Sequence, residues 1–236
     1  MTPRRTPSRG IRPDQVAPVR LPDVSLPPLR AHDGSGLEPE GDYDGVEFAG
    51  LDLAGAEAAG ATFLDCAFRG CVWDDARLGR ARILDSVLED VRGAGAALGD
   101  ATLRDVVLGE VRFGGLQLHG AHLRRVLWRG GKIDYLNLRG ARLTDVAFRG
   151  CVLVEPDFGG AELERVSFEG CELRGADFTR ATLRDVDLRG TSGLEIARGV
   201  DRLAGAVITP AQLLDLAPAF AAHVGVRVVS RSAEVS

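Results

Sequence analysis

The sequence repeats with a period of five residues, and no other feature restricts its fold so strongly. From Phe48 to Leu188 every fifth residue is apolar, and only Ala58 and Gly93 in this series are not large. A second series, two residues earlier in each repeat, is small or apolar almost throughout, with Pro156 as its one awkward member. Helices repeat every 3.6 residues and strands every 2.0, so a strict period of five predicts neither an amphipathic helix nor an ordinary strand.

A chain that turns a corner after every five residues accounts for this period. Each side would place one large and one small side chain inside, four sides would close a coil of about 20 residues, and successive coils would pair as strands about 4.8 Å apart. Glycine recurs two positions after the large residue, as at Gly50, Gly120 and Gly170, where a turn with positive φ favours it. Residues 46–190 therefore predict about seven coils in a rod about 35 Å long.

Two copies of the repeat carry a family resemblance: Ala176-Asp177-Phe178-Thr179-Arg180 and Val186-Asp187-Leu188-Arg189-Gly190. They resemble the motif of the pentapeptide-repeat family, Ala-(Asp/Asn)-Leu-x-x. The resemblance covers residues 46–190 and implies an all-β solenoid, the right-handed quadrilateral β-helix of that family. The polar slot of the motif often holds Arg, Thr, Glu or a small apolar residue here. We therefore expect fewer stacks of identical polar side chains along the rod, whereas the fold assignment is little affected.

The chain divides into three segments by composition and phase. Residues 1–41 are rich in Pro and Arg, lack periodicity and predict a disordered or loosely docked tail. Residues 42–190 form the predicted β-helix. Residues 191–236 form a predicted C-terminal cap, because the last coil of a repeat rod must be covered.

The cap is expected to contain a helix. Thr209 suits the N-cap, Pro210 the first helical position and Gln212 the third position after the cap. Pro218 is expected to bend or split the helix, and residues 226–229 suggest a short closing strand. The resemblance to gyrase-protecting members leaves two roles open, capping alone or capping with end-to-end dimerisation. The residues that would serve either role are Leu213, Leu214, Leu216, Ala217 and Phe220.

The sequence offers no candidate catalytic, cofactor-binding or metal site, so we predict that the protein is not an enzyme. Cys66, Cys71, Cys151 and Cys171 fall in the small inward slot and are expected to act as buried thiols. Cys151 and Cys171 would stack in adjacent coils at a separation that permits a disulfide. His119 and His122 should point from neighbouring sides, and no acidic or Cys partner follows at ligand spacing.

Charge and hydropathy exclude further classes. The net charge is −5 and the pI about 5.5, which argues against direct binding to nucleic acid or to an anionic membrane. No stretch reaches 18 consecutive apolar residues, and the N-terminus lacks the apolar run of a signal peptide. We therefore expect a cytoplasmic protein.

The charges are unevenly spread along the predicted rod. Residues 42–90 contain eleven acidic residues and four arginines, whereas residues 121–150 contain seven basic and two acidic residues. One column of the 20-residue coil forms a candidate acidic stripe that could imitate DNA phosphates: Asp65, Asp85, Asp105, Asp145 and Asp185. A candidate basic band lies in the middle of the rod: Arg124, Arg125, Arg129, Lys132, Arg139, Arg142 and Arg149.

Two hypotheses follow for function, and both make the protein a binding protein. The resemblance to gyrase-protecting pentapeptide proteins implies a DNA mimic that enters the DNA-binding surface of DNA gyrase and protects the enzyme from inhibitors. The alternative is an interaction scaffold for a protein partner unrelated to topoisomerases. The basic band argues against uniform imitation of DNA, which carries about one charge per 1.7 Å.

Overall fold

The computed structural model describes residues 16–229 of the chain. Within that range the chain winds as a parallel β-solenoid of about 9 turns, followed by one C-terminal helix. The strands are β1 (Arg30–Ala31), β2 (Asp42–Asp44), β3 (Val46–Ala49), β4 (Thr62–Leu64), β5 (Ala67–Arg69), β6 (Arg82–Glu89), β7 (Arg92–Ala94), β8 (Thr102–Gly109), β9 (Arg112–Gly114), β10 (His122–Arg129), β11 (Lys132–Asp134), β12 (Arg142–Arg149), β13 (Val152–Val154), β14 (Glu162–Glu169), β15 (Glu172–Asp177), β16 (Thr182–Asp187), β17 (Gly193–Arg198) and β18 (Ala206–Val207). A 3₁₀-helix (Val200–Arg202) precedes β18, and helix α1 (Pro210–His223) follows it.

Strands one coil apart pair in parallel with a shift of one complete coil. Leu123, for example, pairs with Leu103 in the preceding coil and with Leu143 in the following coil. A 12-stranded sheet covers two adjacent sides, because its long strands continue across the corner between them, and a 6-stranded sheet forms the third side. Isolated bridges such as Gln117 to Asn137 hold the fourth side. The predicted four-sided β-helix is confirmed.

The core is a stack of large side chains separated by small ones. Phe48 lies over Phe68 with ring centroids 4.4 Å apart, and Phe148 lies over Phe168 at 4.9 Å. The small slot holds buried alanines and the four cysteines, which are all free thiols. Each fully buried Leu or Phe contributes about 1.5–3 kcal/mol, so the repeat supplies its own stability along the whole rod.

The corners adopt a left-handed backbone whatever residue occupies them. Gly70 has φ +61°, but Asp85 has φ +49° and Tyr135 φ +56° at equivalent corners. An L-residue other than glycine loses about 1–2 kcal/mol in this conformation, and Asp tolerates it better than most residues. The parallel strands and the core on both sides fix the corner and offset this cost.

The solenoid has more turns than the predicted seven, because strand pairing continues beyond both ends of the segment with the five-residue period. The five-residue phase breaks after Gly190, yet β18 still pairs Ala206 with Val186. The pairing of β15 with β17 absorbs the phase change by register shifts after Leu173. At the other end β1 pairs with β3, ahead of the first regular repeat.

Helix α1 begins where the sequence predicted it. The Thr209 side chain accepts a hydrogen bond from the Gln212 N–H, and Gln212 Oε1 accepts one from the Thr209 N–H. Gln212 Nε2 also donates to the Leu188 carbonyl at 2.8 Å, which ties the helix to the last regular coil. This reciprocal cap and anchor explain why the helix forms here.

Two details of the cap differ from expectation. Pro218 lies inside a continuous helix and does not split it. The carbonyl that its missing N–H would serve belongs to Leu214, which is 75% exposed, so water can satisfy it. Residues 226–229 form no strand: they follow the turn at Gly225, pair with no coil and have exposed side chains.

Residues 16–29, which we call the N-terminal strap, lie along the corner of the 12-stranded sheet. The Ala17 N–H donates to Asp185 Oδ1 at 3.3 Å, and the Arg20 N–H donates to Asp145 Oδ1 at 3.2 Å. Three residues of polyproline II cover about 9 Å, which matches the two coils of about 4.8 Å each that separate these carboxylates. The strap runs back along the rod to β1, where Arg30 pairs with Val46. Residues 1–15 of the predicted tail lie outside the described residues.

Candidate functional surfaces

The five residues of the acidic stripe lie at one corner, stacked in successive coils. All have left-handed φ between +49° and +57°: Asp65, Asp85, Asp105, Asp145 and Asp185. This corner lies in the middle of the long strands of the 12-stranded sheet, which is why the column remains aligned over so many coils. The same column also contains Arg125 and Arg165.

Arginines neutralise much of this stripe. Arg125 binds Asp105 through two hydrogen bonds, Arg165 binds Asp145 at 2.7 and 3.0 Å, and Arg104 reaches Asp85 at 3.4 Å. Burial favours the neutral form of Asp145, but the bonds from Arg165 and from the Arg20 N–H outweigh it and hold the pKa of that carboxyl below its usual range. The stripe therefore consists largely of ion pairs.

The N-terminal strap covers the other end of the same corner. Asp145 and Asp185 both accept hydrogen bonds from strap N–H groups, and the Asp145 side chain is only 4% exposed. Asp65 lies beyond these contacts, and its pKa is raised by burial and by the neighbouring Asp85 and Asp44 carboxylates. As the strap lies, the corner does not present an open line of negative charge.

The basic band is a ring around the rod, because its residues lie on all four sides. Six of its seven cations form ion pairs with acidic side chains no more than two coils away: Arg125–Asp105, Arg129–Glu89, Lys132–Asp134, Arg139–Asp157, Arg142–Glu162 and Arg149–Glu169. Only Arg124 forms no ion pair with the part of the chain that the structure describes. The band is therefore nearly neutral at its surface.

The unneutralised charge lies in the first coils. Among the eleven carboxylates of residues 42–90, four form ion pairs, namely Glu47, Glu57, Asp85 and Glu89. The other seven have no cation within 4 Å among residues 16–229: Asp42, Asp44, Asp52, Asp65, Asp74, Asp75 and Asp90. The sequence predicts where the excess charge lies, but only the fold shows that these carboxylates lack a cationic partner, whereas most carboxylates of the later coils have one.

A groove of about 690 Å³ runs along the fourth side, with Gln117, Asn137, Asp157 and Asp177 in its floor. Their side chains are engaged within the rod. Asp157 bonds Arg139 at 2.8 Å, Asp177 bonds Arg198 at 3.0 Å, and Asn137 Nδ2 donates to Gln117 Oε1 at 2.7 Å. Carboxylates held in this way support the fold and are poorly placed to exchange protons with a substrate.

The candidate cap residues divide between two faces of helix α1. Leu216 is buried and Phe220 half-buried against the last coil, so these two close the core. Leu213 is 51% exposed, Leu214 is 75% exposed, and Ala217 is exposed beside them. One face therefore caps the rod, and the other is apolar and open to solvent.

The thiols fill the core, and the two histidines considered as metal ligands, His119 and His122, are exposed. All four thiols are buried, and burial raises the pKa of Cys66 to about 11, which leaves it protonated at neutral pH. No group of three or more His, Cys, Asp or Glu residues within residues 16–229 is arranged to hold a metal ion. No helix in that range is long and apolar enough to cross a membrane.

Comparison with known proteins gives a family. A family model described as a pentapeptide repeat region matches residues 61–138 and 141–196. Among solved structures, QnrB1, a plasmid-mediated fluoroquinolone resistance protein, is 19% identical, with 85% of this chain and 96% of that chain covered and a TM-score of 0.34. HetL from the cyanobacterium Nostoc sp. strain PCC 7120, involved in heterocyst differentiation regulation, is 20% identical, with coverage of 72% and 90% and a TM-score of 0.30. No curated protein sequence matches the chain.

Proposed function

Since the chain belongs to the pentapeptide-repeat family, we propose that it is a non-enzymatic binding protein whose charged first coils bind a basic surface of a protein partner. The observation that carries this proposal is the set of seven unpaired carboxylates in residues 42–90. They lie on several sides of the same coils, so they act together on whatever surrounds that end of the rod. A concave basic surface fits such an end better than a flat one.

The magnitude of this charge suits imitation of DNA over a short length. Residues 42–90 form about two and a half coils, or about 12 Å of rod. A duplex of that length carries about seven negative charges, and the excess of acidic over basic residues in 42–90 has the same size. The imitation is local, because most charged side chains of the later coils form ion pairs. With the family resemblance, it makes the DNA-binding surface of DNA gyrase the first partner to test.

The test measures gyrase supercoiling, with and without a fluoroquinolone, in the presence of this protein. We expect an effect at micromolar concentration or below that weakens as salt is raised. The variant Asp42→Asn/Asp44→Asn/Asp75→Asn/Asp90→Asn removes four charges, and Asn tolerates the left-handed corners at positions 75 and 90. It should lose about tenfold or more in potency, since each exposed charge facing a basic surface contributes a fraction of a kcal/mol or more.

A matched control changes carboxylates that already have partners. Glu162→Gln/Glu169→Gln removes two exposed charges that pair with Arg142 and Arg149 in the later coils, and it should act like the wild type. Absence of any effect on gyrase at high excess of wild-type protein would exclude the gyrase proposal. Equal loss in both variants would exclude the first coils as the binding surface.

The alternative, a scaffold for a partner unrelated to topoisomerases, is favoured by the ion pairing of the acidic stripe. A stripe that is paired and covered cannot imitate a long duplex, whereas a scaffold needs only one shaped, charged region. Capture of a host protein by the wild type and not by the four-Asn variant, with gyrase unaffected, would select this alternative.

We further propose that two copies join through helix α1. Its open face places Leu213, Leu214 and Ala217 side by side, and Val224 and Val226 continue the exposed apolar surface beyond the helix. Contiguous apolar surface of this kind is typical of protein–protein contacts. A C2 pair of helices would bury the same residues on both copies.

A further inference from the structure

One outward-facing column of the β-helix is apolar, although outward positions elsewhere carry charges. Val87, Val107 and Leu127 are direct cross-strand neighbours in β6, β8 and β10. Leu88 and Trp128, the residues that follow in two of these strands, are buried in the core, so the column must point outward. On the next side, equivalent positions hold Arg92, Arg112 and Lys132.

This column is nevertheless shielded from water. Val87, Val107 and Leu127 are all half-buried, and Leu84, which also points outward beside the corner, is only 7% exposed. Leu84 is the informative residue, because Arg104 and Arg124 at the equivalent positions of later coils are exposed. The hydrogen bonds to Asp145 and Asp185 place the N-terminal strap along this corner. The column and Leu84 form an apolar strip beside the path that the strap must follow from Asp145 back to Val46.

The strap has alternating half-buried and exposed residues, as expected of an extended segment that lies on an apolar strip. Pro22, Val24 and Leu26 are half-buried, whereas Asp23 and Ser25 between them are exposed. An extended segment with this alternation turns its apolar side to the rod and its polar side to water. Its prolines favour the extended conformation before it binds, which lowers the entropy cost of docking.

The strap is held less firmly than any coil beneath it. In the described chain its backbone donates the two hydrogen bonds to Asp145 and Asp185, at 3.2 and 3.3 Å, and it forms no strand between residues 16 and 29. The long strands below, by contrast, pair over seven positions with each neighbour. Segments with few hydrogen bonds and exposed backbone open at a lower free energy than the core. Opening of the strap would leave the apolar strip bare while the rod stays folded.

We propose that the apolar strip is a docking site for an extended, proline-containing protein segment with apolar side chains at alternate positions, and that the strap occupies it in cis and yields it to such a segment. The chemistry of the ligand is that of the strap itself. Apolar side chains fill the strip, and backbone N–H groups bond the carboxylates of Asp145 and Asp185. This site is separate from the charged first coils and does not depend on their function.

The experiment uses a fluorescent synthetic peptide of residues 16–29 and three full-length proteins. Val24→Asp/Leu26→Asp loosens the chain's own strap without altering the strip. Ser25→Asp is the matched control, because it adds a charge at an exposed strap position. If the wild-type strap is open about a tenth of the time, the peptide should bind Val24→Asp/Leu26→Asp about tenfold more tightly than the wild type or Ser25→Asp.

Two further measurements make the outcome decisive. Leu127→Asp, added to Val24→Asp/Leu26→Asp, should abolish peptide binding, and circular dichroism should show that the rod remains folded. In isotope-labelled wild-type protein, excess unlabelled peptide should speed hydrogen exchange at the Ala17 and Arg20 amides. Equal peptide affinity for all three proteins, no binding to the loosened variant, or unchanged exchange at both amides would each overturn the proposal.

Discussion

At the scale of single residues, the backbone conformation at the corners does not depend on which residue occupies them. Glycine holds about half of these corners, and its recurrence indicated the corners in the sequence. The structure shows that Asp, Glu, Arg and Tyr adopt the same left-handed conformation in that slot. The acidic stripe exists because Asp is among the residues that accept a positive φ at least cost. The strain is small beside the burial that each side of the coil contributes.

Gly131 is a glycine that no other residue can replace cheaply. Its φ is +82°, and a Cβ at this position would lie 2.1 Å from the Val111 carbonyl oxygen, which bonds the Lys132 N–H. The backbone on both sides is held by strand pairing and cannot move away. We expect Gly131→Ala to lower the free energy of unfolding by about 2 kcal/mol or more, measured by urea denaturation.

Gly114→Ala is the control for this change. Gly114 lies in β9, has no positive φ, and has open space where a Cβ would be added. Its replacement should change the free energy of unfolding by less than about 0.5 kcal/mol. Similar losses in the two variants would contradict the steric explanation.

At the scale of elements, structure that depends on neighbouring residues could be predicted from the sequence, and structure that depends on contacts between distant residues could not. Helix α1 begins at Pro210 because Thr209 and Gln212 form a reciprocal cap within four residues, and such a pattern is visible in sequence. The position of the strap depends on contacts such as the hydrogen bond from Ala17 to Asp185, a residue 168 positions away. Proline-rich composition is the same in a free tail and in a docked one, so sequence could not place this segment.

The open face of helix α1 gives a prediction on assembly. If two copies join there, Leu213→Glu/Leu214→Glu should convert a dimer to a monomer in light scattering, because the charges would be buried against each other. The core should be unaffected, since Leu216 and Phe220 close it from the other face.

Asp215→Asn, an exposed neighbour on the same helix, serves as the control and should remain dimeric. A monomeric wild type would show that helix α1 is a cap alone. A dimer that persists in Leu213→Glu/Leu214→Glu would place the interface elsewhere.

At the scale of the whole molecule, ion pairing decides which charges are available. The net charge of −5 averages two regions: residues 91–190, where most charged side chains form ion pairs, and residues 42–90, where most carboxylates form none. Periodicity predicted the columns, because residues one coil apart must stack. Which charged side chains form ion pairs depends on their length and conformation. Arg129, for example, pairs with Glu89 two coils away, and the sequence could not predict this pair.

Asp145 gives the molecule a specific sensitivity to acid. Its pKa is held below the usual range, so its contribution is complete above the unfolded value of about 3.9 and is lost as the pH falls through the lower folded value. Asp145→Asn should lower the free energy of unfolding by about 2–3 kcal/mol at pH 7. The deficit should shrink as the pH is lowered, because acid removes the same interaction from the wild type.

Urea unfolding at pH 7 and near pH 3 measures this difference. Glu162→Gln, which breaks an exposed pair with Arg142 at 3.4 Å, should differ from wild type by less than about 0.5 kcal/mol at either pH. A deficit in Asp145→Asn that stays constant with pH would show that its carboxylate charge is not the source of the effect.

The spacing of the two strap contacts limits how a protein of this design can change its length. Ala17 and Arg20 are three residues apart, and their acceptors Asp185 and Asp145 are two coils apart. A coil inserted between Asp145 and Asp185 would move these carboxylates about 4.8 Å further apart. One or two more strap residues would then be needed between Ala17 and Arg20 to keep both contacts, at about 3.1 Å per residue. Coils added outside this interval leave the spacing unchanged, so the strap restricts the length of one section of the rod only.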